Sequence, residues 1–391
     1  MKKIIAIILA ILMMTLAFAS CTKAPNDGGA TSDTVADGEL QEPVDDADDE
    51  ADAEEDADEN ENEEDDEFSE DENLDDEENS NGEEEGGEDD NNNADEDDGK
   101  SAGDDALYTK NGKTVEFGYY PQTEVTNYSI TSELDEKAGE LPTSSNSRKW
   151  TSYGYYDNGS TSDYMWYIDV VLDGVKYRGV YFTYYRAKTI DGASSDSNSE
   201  QDDNGYYAGS TYWFEYEPIT WTIISEKNGT ALILCDMVID SQEYDATSNS
   251  YAESAIRRWL NDDFYNTAFN SLQKEMIVTT TVDNSAASTG YSENPYVSSN
   301  TSDKVFLLSR AEVKDTAYGI TSNSSRLKKA TDYANSQGKY VDGTNVGWWW
   351  LRSPLSSESD IAHRIKTDGS IHSVGVDYTS GGVVPALWIK F

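Results

Sequence analysis

The chain has 391 residues, with 78 Asp and Glu against 28 Lys and Arg, a formal net charge of -50 and 36% hydrophobic residues. No cluster of basic residues is present to neutralise phosphates, which excludes nucleic acid as a partner, and two cysteines, Cys21 and Cys235, exclude a disulfide-stapled scaffold. A multi-pass membrane protein is excluded as well, because no apolar run of membrane-spanning length follows residue 20.

Lys2 and Lys3 precede an apolar run over residues 4–19, and Ser20 and Cys21 follow at once. A charged start, an apolar centre and a small-residue end are the layout of an export signal. The string FASC, ending at Cys21, resembles a bacterial lipoprotein box. That resemblance implies a signal peptide over 1–20 and lipid attachment at Cys21. Each buried acyl CH₂ contributes about 0.8 kcal/mol, so more than one chain holds a protein stably. The expected location is the extracellular face of the cytoplasmic membrane. There the protein is lipid-anchored and exposed at the cell surface, touching the membrane through its N-terminal lipid.

Residues 26–105 hold about 41 acidic residues against one basic residue, Lys100. Such a segment buries too little apolar surface to offset ordering entropy, and its like charges repel. A disordered acidic linker is therefore expected over 21–105. Stretched fully at about 3.3 Å per residue, the acidic stretch 26–105 would reach roughly 260 Å. Its carboxylates lack the spaced ligands and turn glycine of an EF-hand loop, so a solvated spacer is favoured over a specific Ca²⁺ site.

Tyrosine and tryptophan become frequent over 106–391, and the acidic runs stop. A strand is expected over 114–121, ended by Pro121. A loop-rich stretch to 163 follows. Residues 164–186 read as a β-hairpin turning at Asp173-Gly174, and 219–239 as a second turning at Asn228-Gly229. The polar stretch 188–210 between them reads as an exposed loop. A helical zone follows, with Ser254 or Tyr251 near its start and Ile256, Trp259 and Leu260 on one face. Asn261-Asp262 is expected to break it. A second helix should carry Phe264, Ala268, Phe269, Leu272 and Met276. Residues 305–309 read as a short buried strand, and 323–337 as a helix with Leu327, Ala330 and Ala334 on one side. The chain closes with WWWLRSP (348–354), a hairpin across Asp368-Gly369, and a strand over 383–391. Strands enclosing a middle helical block make the expected fold class α+β, in one domain over 106–391.

FGYYPQTEV (117–125), YRGVYFTYYR (177–186), YWFEYEPITW (212–221), the stretch 251–269, DKVFLLS (303–309), WWWLRSP (348–354) and GVVPALWI (382–389) occur in this order. Together they resemble the bacterial family called domain of unknown function six-two-seven-three, over nearly all of 107–391. Many members carry Arg where this chain has Val384. The closing pattern also resembles the C-terminal part of C-type-lectin-like folds, nearest to the sulfatase-modifying branch. That resemblance implies a C-type-lectin-like domain whose binding surface lies in the loops around 340–380.

Cys235 sits among aliphatics in ALILCDMV, where a thiol is usually buried and inert. The sulfatase-modifying enzymes use paired cysteines, and this domain has one. No GxSxG elbow is present. A turn centred on Asp368-Gly369 sets Ile365 opposite His372, with His363 diagonal to it on the same face. Two packed histidines, without a third ligand, are favoured over a zinc site, and no cofactor is implied. The EPN, QPD and WND motifs of Ca²⁺-dependent lectins are missing.

Alternation points Trp348 and Trp350 to one face and Trp349 to the other, with at least one in the core. The flat faces of the others suit a sugar ring or a peptide. Arg352 shares the face of Trp348 and Trp350 and is expected to pair with a carboxylate such as Asp360 or to stack on an aromatic. Trp348, Trp350, Arg352, Asp360 and Tyr378 are the ligand-binding candidates, and none is catalytic. The expected function is non-catalytic display of a domain that binds an extracellular glycan or protein. A polysaccharide-acting enzyme with paired carboxylates is the first alternative. A structural envelope component is the second.

Overall fold

The computed structural model describes residues 107–143, 145–156, 164–184, 205–338 and 343–391. The signal peptide, Cys21, the acidic linker and most of the 188–210 loop lie outside the described residues.

The described chain is α+β. Strand β1 (Thr114–Glu124) runs on through Pro121, three residues past the expected end. Its pairing register shifts between Pro121 and Glu124, and a proline is tolerated at such an irregularity. Helix α1 (Tyr128–Ala138) occupies the stretch read as loop; the Asn127 side chain caps it by accepting from the Ser129 N–H.

Strands β2 (Met165–Leu172) and β3 (Val175–Phe182) form the first hairpin, with Leu172 opposite Val175. Asp173 and Gly174 both take positive φ, at 53° and 84°. Strands β4 (Thr211–Lys227) and β5 (Thr230–Cys235) form the second, with Asn228 and Gly229 at 53° and 77°. Two-residue turns of this hand match the strand twist, and Asp-Gly and Asn-Gly adopt them at low cost.

A nine-stranded sheet is built on β4. β1 runs along it, and β3 and β5 pair with its opposite ends. Alternation along β2 sorts its side chains. Trp166, Ile168, Val170 and Leu172 pack with Leu134 and Ala138 of α1 and with Trp213 in a small cluster. Tyr167 and Asp169 point to the other face. Gly179 of β3 lies under the Trp213 indole, where an added Cβ would come within 2.7 Å of the ring.

The large core lies on the opposite side of the sheet from α1 and takes in the helical block. Each large apolar side chain fully buried there contributes about 1.5–3 kcal/mol. Helix α2 (Ala255–Trp259) is capped by the Ser254 side chain accepting from the Arg257 N–H. It continues through a π-turn (Leu260–Phe264) into α3 (Tyr265–Ala268), so Asn261-Asp262 does not break it. The Asn261 amide donates to the Arg257 and Val305 carbonyls, and its oxygen accepts from the Lys304 and Val305 N–H groups. The asparagine therefore holds the turn instead of competing with it. The second helix is shorter than expected. The chain is extended at Phe269, and α4 (Ser271–Met276) starts afresh from an Asn270/Gln273 capping box, leaving Leu272 exposed.

Residues 305–309 are buried as expected, but a single bridge, Phe306 to Ala386, replaces a ladder. The expected 323–337 helix is instead two short helices, Asn323–Arg326 and Asp332–Ser336, flanking a strand at Lys328–Ala330.

A five-stranded sheet holds β6 (Trp349–Pro354), β7 (Ile361–Ile365) and β8 (Ile371–Gly375), with Gly382–Val383 and Asp240–Ser241 beyond β6. The β7–β8 register differs by one residue from the expected one. Ile365 faces Ile371, and Arg364 faces His372. The loop is Lys366–Ser370, closed by the Lys366 N–H on the Ser370 carbonyl and the Gly369 N–H on the Lys366 carbonyl. Gly369 holds φ 81°, and a Cβ there would come within 2.0 Å of the Asn323 carbonyl oxygen. A terminal strand, β9 (Ala386–Lys390), returns to pair antiparallel with β5.

Candidate functional site

A cleft of about 420 Å³ opens beside the face of β2 that carries Tyr167. Three chain segments bound it: the turn carrying Tyr153 and Tyr155, residues 242–246 just after the Asp240–Ser241 strand, and the face of α2 and the π-turn. The Tyr153 N–H donates to the Met165 carbonyl, which locks the first segment onto β2. The Tyr153 and Tyr155 rings lie 5.9 Å apart and tilted by 56°; Tyr153 and Tyr167 lie 5.7 Å apart and nearly perpendicular, at 89°.

Hydrogen bonds fix these rings. The Tyr153 hydroxyl donates to Asp263 at 3.1 Å and accepts from the Trp259 indole N–H at 2.8 Å. The Tyr155 hydroxyl donates to Asp262 at 3.3 Å. Below Tyr167, the Arg178 guanidinium sits 4.4 Å from the ring centroid. Register places Arg178 opposite Asp169, and the two form a buried-to-surface ion pair at 2.9 Å. Tyr216 and Lys176 also contact that carboxylate, at 2.9 and 3.2 Å. Burial would raise the Asp169 pKa, but the charge and hydrogen bonds of Arg178 outweigh it and hold it below the usual value.

The opposite wall is acidic. Glu243 is 6% exposed. Asp245 accepts from the Thr247, Ser248 and Ala255 N–H groups, which ties the 245–255 segment together. Burial raises the Asp263 carboxyl above its usual range, and the charge of Arg178 and the Tyr153 hydroxyl only partly offset this. Arg258, exposed at the rim, donates to the Glu253 carbonyl.

Behind this wall lies Asp240, fully buried. It accepts from the Tyr120 hydroxyl at 2.7 Å, the Ser241 N–H at 2.7 Å and the Gln242 amide at 3.0 Å. Burial still pushes it up to about 6. The folded state therefore keeps a proton that the unfolded chain loses near pH 4. The stability this supplies is full below about pH 4 and is lost as pH rises through 6, by on the order of 3 kcal/mol. His363 has the opposite slope. Burial and then the Arg310 charge push it down to about 4, so its contribution is full above pH 6.5 and lost as pH falls through 4. The unfolding free energy of Asp240→Asn, minus that of the parent, is expected to rise by roughly 3 kcal/mol between pH 4 and 7. Urea unfolding at several pH values measures it, and parallel curves would refute the assignment.

The sequence candidates fall elsewhere. Trp348, Trp349 and Trp350 are at most 1% exposed, so all three lie in the core and none offers a face to a sugar or peptide. Trp348 and Trp350 pack edge to face at 4.9 Å, with Arg364 over Trp348. The Trp350 indole donates to the Gln242 carbonyl, immediately behind the cleft. Arg352 is buried and pairs with Glu312, not with Asp360, and donates to the Leu307 and Asp283 carbonyls. Of the five candidates, the exposed Asp360 and the half-buried Tyr378 reach the surface. Pairing puts His363 opposite Ser373 and His372 opposite Arg364, so the histidines lie on opposite faces and not on one. Among the described residues no group of three or more His, Cys, Asp or Glu is placed to hold a metal ion. Cys235 is buried and free, and burial pushes its thiol up to about 12, the inert thiol its neighbours suggested.

None of the cleft residues was among the sequence candidates, including Tyr153, Tyr155, Tyr167, Glu243 and Asp263. The alternation of 165–172 was the available signal, since it sets Tyr167 and Asp169 together on the face away from Trp166 and Ile168.

Residues 228–391 match the family model described as Domain of unknown function (DUF6273). The match covers less of the chain than the 107–391 that the ordered motifs suggested. Its range includes the acidic wall from Gln242 to Asp263, whereas Tyr153, Tyr155 and Tyr167 precede it. Comparison with the curated proteins gives no match, and comparison with the solved structures gives none.

Proposed function

We propose that this chain is a bacterial lipoprotein, anchored through Cys21 on the extracellular face of the cytoplasmic membrane. Its acidic linker carries a C-type-lectin-like domain that binds an extracellular glycan or protein without catalysis. The FASC string and the composition of 21–105 support the anchor and the spacer; the closing motifs support the lectin-like reading.

One observation carries the binding role. Three tyrosines and the carboxylates Glu243 and Asp263 line one cleft, with the Gln242 amide behind them. Aromatic faces beside polar acceptors suit a ligand with both apolar and polar groups. The site moves accordingly from the 340–380 loops to the Tyr153–Tyr167 cleft. Binding of the detergent-solubilised full chain to isolated cell-wall material and to a glycan array tests this reading. Saturable binding that Tyr155→Ala weakens is the expected outcome. Binding unchanged by Tyr155→Ala would place the site elsewhere.

A second reading, an enzyme acting on polysaccharide, draws on Asp263. A carboxyl raised by burial in a cleft that also holds Glu243 fits a general acid with a partner carboxylate. Release of reducing sugar from wall polysaccharide, lost in Asp263→Asn, would favour it.

A further inference from the structure

The ring geometry in the cleft discriminates between ligand chemistries. A neutral sugar stacks on one flat aromatic platform, and these rings do not form one. Tyr153 stands nearly perpendicular to Tyr167 and 56° from Tyr155, so the rings along the cleft are set in different directions, and Tyr167 already holds the Arg178 guanidinium 4.4 Å from its centroid, a contact of the kind an ammonium would make. Aromatic faces carry negative electrostatic potential, and rings converging from different directions favour a small cation.

The acidic wall adds to this. Glu243, Asp245 and Asp263 line the cleft against one described cationic lining residue, the exposed Arg258. No lysine or arginine forms an ion pair with Asp263 among the described residues; its contact is the Tyr153 hydroxyl. Arg178, whose charge reaches Asp263, is committed to Asp169 at 2.9 Å. A carboxylate so placed is more stable once a cation neutralises it.

We propose that the cleft takes an ammonium group, seated among the Tyr153, Tyr155 and Tyr167 rings and facing the Asp263 carboxylate. An amino sugar and a lysine side chain both present this group. The assignment rests on the reading that the cleft binds an extracellular ligand.

Calorimetric titration of the full chain in detergent tests it with four probes: glucosamine, N-acetylglucosamine, Nα-acetyl-lysine amide and the same amide acetylated at Nε. An ammonium probe is expected to bind at least about tenfold more tightly than its acetylated form. Which of the two ammonium probes binds identifies the source. Added NaCl should weaken that binding, Tyr155→Ala should reduce it about tenfold, and Asp263→Asn should erase the preference for the charged form. Because the preference is read between two ligands on the unaltered chain, it does not depend on either variant folding. Equal or tighter binding of the acetylated forms overturns the ammonium assignment, and so does failure of all four probes to bind. In either case the binding reading stands if wall material still binds in a Tyr155-dependent way, and falls with it if nothing does.

Discussion

Replacing Glu312 by alanine is expected to lower the unfolding free energy by about 3 kcal/mol. Arg352 is 2% exposed and donates to both Glu312 oxygens, one of them at 3.0 Å, as well as to the Leu307 and Asp283 carbonyls. Removing the carboxylate strands a buried guanidinium charge. It also removes the acceptor of the Ser309 N–H. The Glu312 side chain keeps 25% exposure, so water offsets part of the loss and the effect belongs at the lower end for a buried pair. Glu312→Gln keeps an acceptor and should cost less. Combining Glu312→Ala with Arg352→Met removes the stranded charge and should recover part of the loss, giving a coupling energy of about 1–3 kcal/mol. Chemical denaturation of the parent, Glu312→Ala, Arg352→Met and the double variant measures it. A cost below about 0.5 kcal/mol for Glu312→Ala would show that the pair is not formed in solution.

Trp350→Ala is expected to cost about 3–5 kcal/mol, the range for emptying a large buried aromatic site. Its indole is wholly buried, packs against Trp348 and Tyr244, and donates to the Gln242 carbonyl. Gly381 leaves room for it; a Cβ there would come within 1.9 Å of the indole nitrogen. The variant should therefore lose ligand binding only together with its fold, as seen by parallel loss of thermal stability and near-UV circular dichroism. Selective loss of binding with native stability would instead return Trp350 to the ligand-binding role that the sequence suggested.

The parts of the fold legible in the sequence are those where one residue type has few other uses. Asp173-Gly174 and Asn228-Gly229 set both residues at positive φ, and both hairpins form at those turns. Asp368-Gly369 marked the third hairpin too, but only Gly369 takes positive φ there, and the longer loop moves the register by one. That single residue decides whether the histidines share a face. Helix α1 was hidden by its polar surface; its Asn127 cap and the Leu134/Ala138 spacing were the signals present.

The site was less legible for a physical reason. Alternation assigns faces only when a strand has one buried side, and β6 is buried along its whole length. Alternation set Trp348 and Trp350 together on one face, as their contact bears out, but could not tell that both faces are buried. The cleft joins residues about 90 to 110 positions apart, such as Tyr153 with Asp263 and Tyr155 with Asp262. Tyr153 and Tyr155 also belong to a stretch read as loop, so no local spacing pointed to their partners.

The most direct measurement is saturable binding of the full chain to isolated cell-wall material, parent against Tyr155→Ala, with thermal stability recorded for both. The Tyr155 ring is half-buried and packs against the edge of the large core, not within it, so its loss should cost far less stability than that of Trp350. The predicted result is binding at least tenfold weaker in a variant that keeps its fold. Equal binding by the two proteins would contradict the assignment of function to this cleft.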